Sequence, residues 1–203
     1  RLESLKNITE RYDGYGNSIR KVMEQKDRYK GIVGVVADII KTKKQYETAI
    51  ETALGGTIQN IVTDNEETAK GLIAFLKQNK FGRATFLPLS AISGRDIRVD
   101  SSLTRENGAV GFANQLVECD SEFTELARYL LGRILVVDNI DNALAIARRH
   151  NHSLRIVTLE GDMLSPGGSM SGGAFKNSSN LLGRRREIEE LEASVSVKEA
   201  ELK

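Results

Sequence analysis

"IVTDNEETAKGLIAFLKQNKFGRATFLPL", Ile61–Leu89, and "LVVDNIDNALAIARRHNHSLRIVTLEGD", Leu135–Asp162, carry one pattern twice. Val62, Asp64, Asn65 and Ala69 of the first stretch match Val136, Asp138, Asn139 and Ala143 of the second. Further on, Leu72 matches Ile146, Arg83 matches Arg155 and Leu87 matches Leu159. Each copy reads as a short apolar strand ending in Asp-Asn, which caps the helix that follows. That helix buries small and aliphatic residues, and a second strand comes after it. A further helix precedes each copy, in "KKQYETAIETALGG" and in "SEFTELARYLLGR". Glycines stop both, at Gly55-Gly56 and at Gly132. A duplicated strand–helix–strand unit predicts two subdomains with an approximate two-fold relation. The segment between them, Ser90–Gly111, is polar and turn-rich and reads as a link.

Outward from this middle lie two arms. Leu5, Ile8, Tyr12, Tyr15, Ile19 and Val22 follow the alternating three-four spacing of a coiled-coil seam. Ile188, Leu191, Val195 and Leu202 do the same near the other end, with Lys198 in the missing slot. Each arm has about two to three heptads, marginal for a lone helix in water, so each needs a partner. The simplest is the other arm, running antiparallel. The low apolar content of both favours this over amphipathic helices packed on the core. Gly14 and Gly16 weaken the first arm and mark a joint.

Composition narrows the function. The 203 residues suit one large domain or two small ones, and 40% hydrophobic residues suffice for a core. Charged residues are 28%, but the net charge is +1, which argues against a polycation that coats nucleic acid and leaves room for a local basic patch. A single cysteine, Cys119, excludes an internal disulfide framework and fits a reducing compartment. No apolar run has membrane-spanning length, and no secretory leader is expected. The chain starts at Arg1 and reads as a segment cut from a longer one.

The segment richest in glycine is "SPGGSMSGGAFK", Ser165–Lys176. As a phosphate loop it fails: Gly173 stands where a lysine is required, and Lys176 comes too late. As a nucleophile elbow it fails too, because neither Ser169 nor Ser171 has a glycine two residues away on both sides. His150 and His152 lack the further ligands that a metal site needs. Cys119, between Glu118 and Asp120, is no activated thiolate. What remains is geometric: a strand of such small residues lets another backbone come close, against the alternative of a flexible surface loop.

The residues "YETAIETALGG" (Tyr46–Gly56), "GRATFLPL" (Gly82–Leu89) and "SPGGSMSGG" (Ser165–Gly173), with the flanking heptads, closely resemble the hinge domain of the structural maintenance of chromosomes (SMC) proteins, of a prokaryotic kind. The resemblance covers nearly the whole chain. It implies an α+β (mixed α/β) fold with two pseudo-repeated subdomains, small mixed sheets and packed helices, flanked by antiparallel coiled-coil helices. The corresponding boundaries are an N-terminal arm at 1–29, hinge subdomains at 30–112 and 113–183, and a C-terminal arm at 184–203. In function it implies a non-catalytic dimerisation hinge that joins two coiled-coil ATPase chains into a V or ring for chromosome condensation and segregation. The hinge–hinge contact maps onto Gly167, Gly168, Ser169, Met170, Ser171, Gly172 and Gly173. No cofactor and no metal are implied. The partners implied are a second hinge, DNA bound without sequence preference, and kleisin-type and accessory subunits at the ABC-type heads of the parent chain, with no membrane. The location implied is the cytoplasm, on the nucleoid. The candidate DNA-contacting residues are Lys26, Arg28, Lys30, Lys176, Arg184, Arg185 and Arg186. Two rival readings are a small-molecule-binding or enzymatic α/β domain with a glycine-rich ligand loop, and an adaptor that recruits a protein through its coiled coil.

Overall fold

The computed structural model describes residues 15–174 and 181–202. In chain order its first elements are α1 (Asn17–Met23), β1 (Ile32–Val35), α2 (Val36–Ile39), β2 (Lys41–Thr42), α3 (Glu47–Leu54), β3 (Ile61–Thr63), α4 (Glu66–Asn79) and β4 (Phe86–Pro88). Then follow β5 (Ala109–Phe112), β6 (Val117–Glu118), α5 (Thr124–Leu131), β7 (Ile134–Val137), α6 (Ile140–Arg149) and β8 (Arg155–Thr158). The last are β9 (Met163–Leu164), β10 (Met170–Ser171) and α7 (Leu181–Glu201). Helices and small mixed sheets alternate, so the α+β expectation holds.

The Asp-Asn corners form as the sequence predicts. Asn65 Oδ1 accepts the Thr68 N–H at 2.9 Å, and Asn139 Oδ1 accepts the Asn142 N–H at 2.9 Å. Each satisfies an orphan donor at a helix start. The preceding aspartates add a second clasp: Asp64 Oδ1 accepts from Thr68 Oγ1 at 2.6 Å, and Asp138 Oδ1 accepts from Asn142 Nδ2 at 2.8 Å. The corner is closed from the neighbouring strand. Asp64 N–H donates to the Gly31 carbonyl and Asp138 N–H to the Gly108 carbonyl, both at 2.9 Å. A Cβ on Gly31 would collide with Asp64 and Thr68; one on Gly108 would collide with Asp138 and Asn142.

The chain forms two compact units. The first takes the chain up to Ile39, then Leu54–Arg98 and Cys119–Gly132; the second takes Ile40–Ala53, Val99–Glu118 and the chain from Arg133 on. The first holds a three-stranded sheet in the order β1-β3-β4, antiparallel between β1 and β3 and parallel between β3 and β4. Ile32, Ile61, Leu72, Leu76 and Leu87 are buried in this unit. The second holds a five-stranded sheet in the order β10-β9-β8-β7-β5. Its β5-β7-β8 portion repeats the first sheet strand for strand, with the same antiparallel and parallel pairings. Leu103, Phe112, Leu135, Val137, Ile146, Ile156 and Leu164 make its core. Fully burying one such side chain contributes roughly 1.5–3 kcal/mol. A two-stranded ladder of β2 and β6, also in the second unit, pairs Lys41 with Glu118.

The structure revises three readings. First, the repeat starts earlier than Ile61. "GIVGV" (Gly31–Val35) and "GAVGF" (Gly108–Phe112) contain β1 and β5, so the end of the predicted link is a strand. Both strands carry an irregularity at the same place, between Ile32 and Gly34 and between Ala109 and Gly111. Second, Ile19 and Val22, placed in the coiled-coil seam, are core residues of the first unit. Val22 and Met23 are fully buried, and Lys21 Nζ lies 5.2 Å above the Phe81 ring. Third, the glycine cluster is mostly turn, and Met170 and Ser171 alone form a strand. Leu5, Ile8 and Tyr12 lie outside the described residues. Among the described residues no helix is long and apolar enough to cross a membrane.

The closed corner gives a stability prediction. Gly31→Ala and Gly108→Ala should each destabilise the chain by about 1–3 kcal/mol through overpacking. Gly56→Ala, where a Cβ meets open space, should stay within about 0.5 kcal/mol. Urea denaturation curves of the three variants decide it, and equal midpoints would refute the clasp.

Candidate dimerisation edge

The site grows out of β8. Its chain turns back at Thr158–Asp162, where Thr158 Oγ1 donates to Asp162 Oδ2 at 3.1 Å and accepts the Asp162 N–H at 3.0 Å. β9 then pairs antiparallel with β8, and Leu164 points into the core. The turn to β10 is closed by Ser165 N–H to the Ser169 carbonyl at 2.9 Å and Gly168 N–H to the Ser165 carbonyl at 3.0 Å. Gly167 N–H donates to the His152 carbonyl at 2.8 Å, which ties the turn to the end of α6. Gly167 and Gly168 have φ of 96° and 106°, a region that L side chains rarely adopt.

β10 is the outer strand of the sheet. Met170 is opposite Leu164 and Ser171 opposite Met163. Antiparallel strands alternate between pairs that exchange hydrogen bonds and pairs that do not. Ser165 bonds to Ser169, so Ser171 also faces β9, while the N–H and C=O of Met170 and Gly172 face outward. Every residue from Pro166 to Ala174 is exposed, and Met170 is half exposed. Of the seven expected contact residues, Gly167–Ser169 lie in the turn before β10, Met170 and Ser171 form the outer strand, and Gly172 and Gly173 follow it; all seven are exposed.

The first unit has an open edge as well. Thr85 and Leu89 bond toward β3, through the Ile61 N–H and the Thr63 carbonyl. By alternation the Phe86 N–H and C=O face away from it. A groove beside this edge is lined by Glu66, Ala69, Lys70, Ile73, Phe86 and Pro88. In the second unit the matching strand, β8, is covered by β9.

The candidate basic residues divide between the units. Lys26, Arg28 and Lys30 are exposed in the first. Arg184, Arg185 and Arg186 occupy the first turns of α7 in the second. Arg185 Nε lies 3.2 Å from Glu189. Arg186 pairs with the buried Glu47 and, at 3.0 Å, with Glu190. These two guanidinium groups already have carboxylate partners, which the sequence did not reveal. Lys176 lies outside the described residues.

The other chemical candidates have structural roles. His150 Nε2 is 3.1 Å from Glu106 Oε1, and Arg149 binds the same carboxylate. Hydrogen bonds from these two groups hold the Glu106 carboxyl below its ordinary range. The Cys119 thiol is pushed up, by burial first and by Asp120 second. Among the described residues no group of His, Cys, Asp and Glu is gathered as a metal site.

Comparison with known proteins agrees with this geometry. Residues 29–147 match the family of the SMC proteins flexible hinge domain. The chromosome partition protein Smc of Bacillus subtilis is 44% identical over 183 residues, which is 89% of this chain and 15% of that protein. The protein of the same name from Lactiplantibacillus plantarum is 38% identical over 205 residues, 100% of this chain and 17% of that protein. The chain thus spans about a sixth of the length of these relatives. Among solved structures, an asymmetric dimer of the Geobacillus stearothermophilus SMC hinge domain matches with a TM-score of 0.84 at 38% identity, over 98% of this chain and 81% of that one. The hinge domain of the Pyrococcus furiosus SMC protein matches with a TM-score of 0.65 at 32% identity, over 85% and 92%. The family match, the identity to these relatives and the shared fold together show that the chain belongs to the SMC flexible hinge domain family.

Proposed function

We propose that this chain is the dimerisation hinge of a chromosome partition SMC protein, and that two copies join through β10 of one and the β4 edge of the other. The observation that carries this is the open edge of β10, with the Met170 and Gly172 backbone groups turned outward. An exposed edge of this kind is a template for strand addition. The first unit has the complementary vacancy, since β4 lacks the covering strand that β8 has. A two-fold operator makes each contact twice and closes the pair. The solved asymmetric hinge dimer supports pairing between copies. In the parent chain we place ABC-type ATPase heads and their kleisin-type partners beyond the arms, with the assembly on the nucleoid in the cytoplasm. The hinge itself carries no catalytic step, and the arms pair antiparallel within one chain.

Met170 is the clean probe of the interface. Gly167, Gly168 and Gly173 have positive φ, and a Cβ on Gly172 would meet Asp162 Oδ1 at 2.5 Å, so glycine substitutions disturb the subunit itself. Met170→Glu should raise the dimer dissociation constant about a hundredfold or more, because a desolvated charge enters each copy of the contact. Light scattering should show monomer at concentrations where the native chain is dimeric, with the far-UV circular dichroism unchanged. A fully dimeric variant would place the interface elsewhere.

We also propose weak, sequence-independent DNA contact, carried first by the exposed Lys26, Arg28 and Lys30. A Lys26→Glu/Arg28→Glu/Lys30→Glu chain should bind duplex DNA more weakly. Its salt slope should be shallower by about 0.9 for each phosphate that the chain no longer neutralises. An unchanged slope in a fluorescence titration would remove these residues from the DNA surface. Charge reversal at Arg186 is a poor test, because it also breaks the pair with Glu47.

A further inference from the structure

The two terminal helices are rooted by different chemistry. α1 is held in the first unit by apolar burial of Ile19, Val22 and Met23. α7 buries Leu181 and Leu182 in the second unit, but charge surrounds them. Glu51, on α3, accepts the Leu181 N–H at 2.8 Å. Glu47, one turn earlier, pairs with Arg186 and is almost fully buried. Lys41, on β2, reaches Glu189 at 3.2 Å, and Glu189 also receives Arg185 at 3.2 Å. We propose that Glu51 and Glu47 form a proton-sensitive socket for the first turns of α7, so that the C-terminal arm sits tightly while Glu51 is protonated and loosens when it ionises.

The groups around Glu51 explain the direction. Glu47 is a like charge on the same helix. From α7 come the backbone N–H groups of Leu181 and Leu182; the same helix carries the cations Arg184, Arg185 and Arg186 and the carboxylates Glu189 and Glu190, and β2 carries Lys41. Arg186 is committed to Glu47 and Glu190, and both Lys41 and Arg185 to Glu189. Glu51 accepts from the backbone N–H groups of Leu181 and Leu182. Burial pushes its carboxyl up to about 7; the Leu181 N–H opposes this, and Glu47 adds to it. A carboxyl whose seated value lies above its ordinary 4.5 keeps more protons seated than released. Seating is therefore strongest below about pH 4.5, weakens as pH rises through the window up to about 7, and levels off above it.

Hydrogen exchange on the whole chain tests this, with exposure times scaled for the intrinsic pH dependence of amide exchange. Opening of the segment 181–190 should increase several-fold, at most about tenfold, from pH 6 to pH 8, while the segment 17–23 stays constant. Glu51→Gln should abolish the response and remain seated at both pH values. Glu47→Gln removes the like charge and releases Arg186 from its ion pair, and both changes favour ionised Glu51, so its response should shift to lower pH. A mere packing role for α3 would not move that midpoint. Light scattering at each pH keeps any change of oligomeric state separate. A native chain with the same protection at pH 6 and pH 8, a Glu51→Gln chain that keeps the response, or an unshifted midpoint in Glu47→Gln would each overturn the proposal.

Discussion

Two parallel strand pairs, β3 with β4 and β7 with β8, set the constraint on which the rest of the structure depends. Parallel neighbours cannot be joined by a hairpin, so a helix must leave the end of one strand and return the chain to the start of the next. That helix has to begin without slack. The Asp-Asn corner achieves this with two residues directly after the strand: the asparagine side chain accepts a backbone N–H of the first helical turn, and the aspartate side chain accepts from the side chain of the same residue. It also needs room, and the adjacent strand supplies it at Gly31 and Gly108, whose carbonyls receive the aspartate N–H groups. Strand end, helix start and neighbouring strand are thereby fixed together, twice. β1 and β5 complete the other side of each pair, and β9 and β10 extend only the second.

The duplication does not simply yield two beads in chain order. Segment 40–53, from the first copy, belongs to the second compact unit, while segment 119–132, its counterpart in the second copy, belongs to the first. Equivalent helices have been exchanged. The β2–β6 ladder has the same symmetry: Lys41 pairs with Glu118, the residue 77 positions further on, as Gly108 is from Gly31. A strand paired with its own counterpart in antiparallel register lies on a local pseudo-two-fold. The exchange puts α3 in the unit that holds α7. It also explains why the arms differ, since α3, the helix that receives α7, comes from the exchanged segment and carries Glu47 and Glu51, whereas the matching positions on α5 are Thr124 and Arg128.

Local interactions were legible in the sequence. The Asn65 and Asn139 caps act over three residues, and both helices start where these residues stand. β1 and β5 escaped because one glycine before and one within each suggest a turn, although the recurrence of Gly-x-x-Gly at a constant offset was a signal available to find them. Ile19 and Val22 read as a coiled-coil seam although they are core, because a buried amphipathic helix has nearly the same spacing. The arginines at 184–186 were legible as charge but not as ion pairs, for Glu47 is 139 residues from Arg186. Charge is written locally; its neutralisation is decided by the fold.

The glycine-rich segment shows how one sequence pattern can have two physical reasons. Close approach by a partner backbone would account for four glycines, but the subunit accounts for them by itself. Gly167 and Gly168 serve the turn, Gly173 has φ of 134°, and Gly172 makes room for the Asp162 side chain. Asp162 in turn closes the Thr158 corner from which β9 and β10 are built. Their first task is therefore to bring the chain back sharply enough for a two-residue strand to form at the sheet's edge. The open edge follows from that geometry, because a strand this short leaves the Met170 and Gly172 backbone groups facing outward. In the dimer proposed above, a partner strand would meet hydrogen-bonding groups that the turn has placed, with small side chains on either side of the approach.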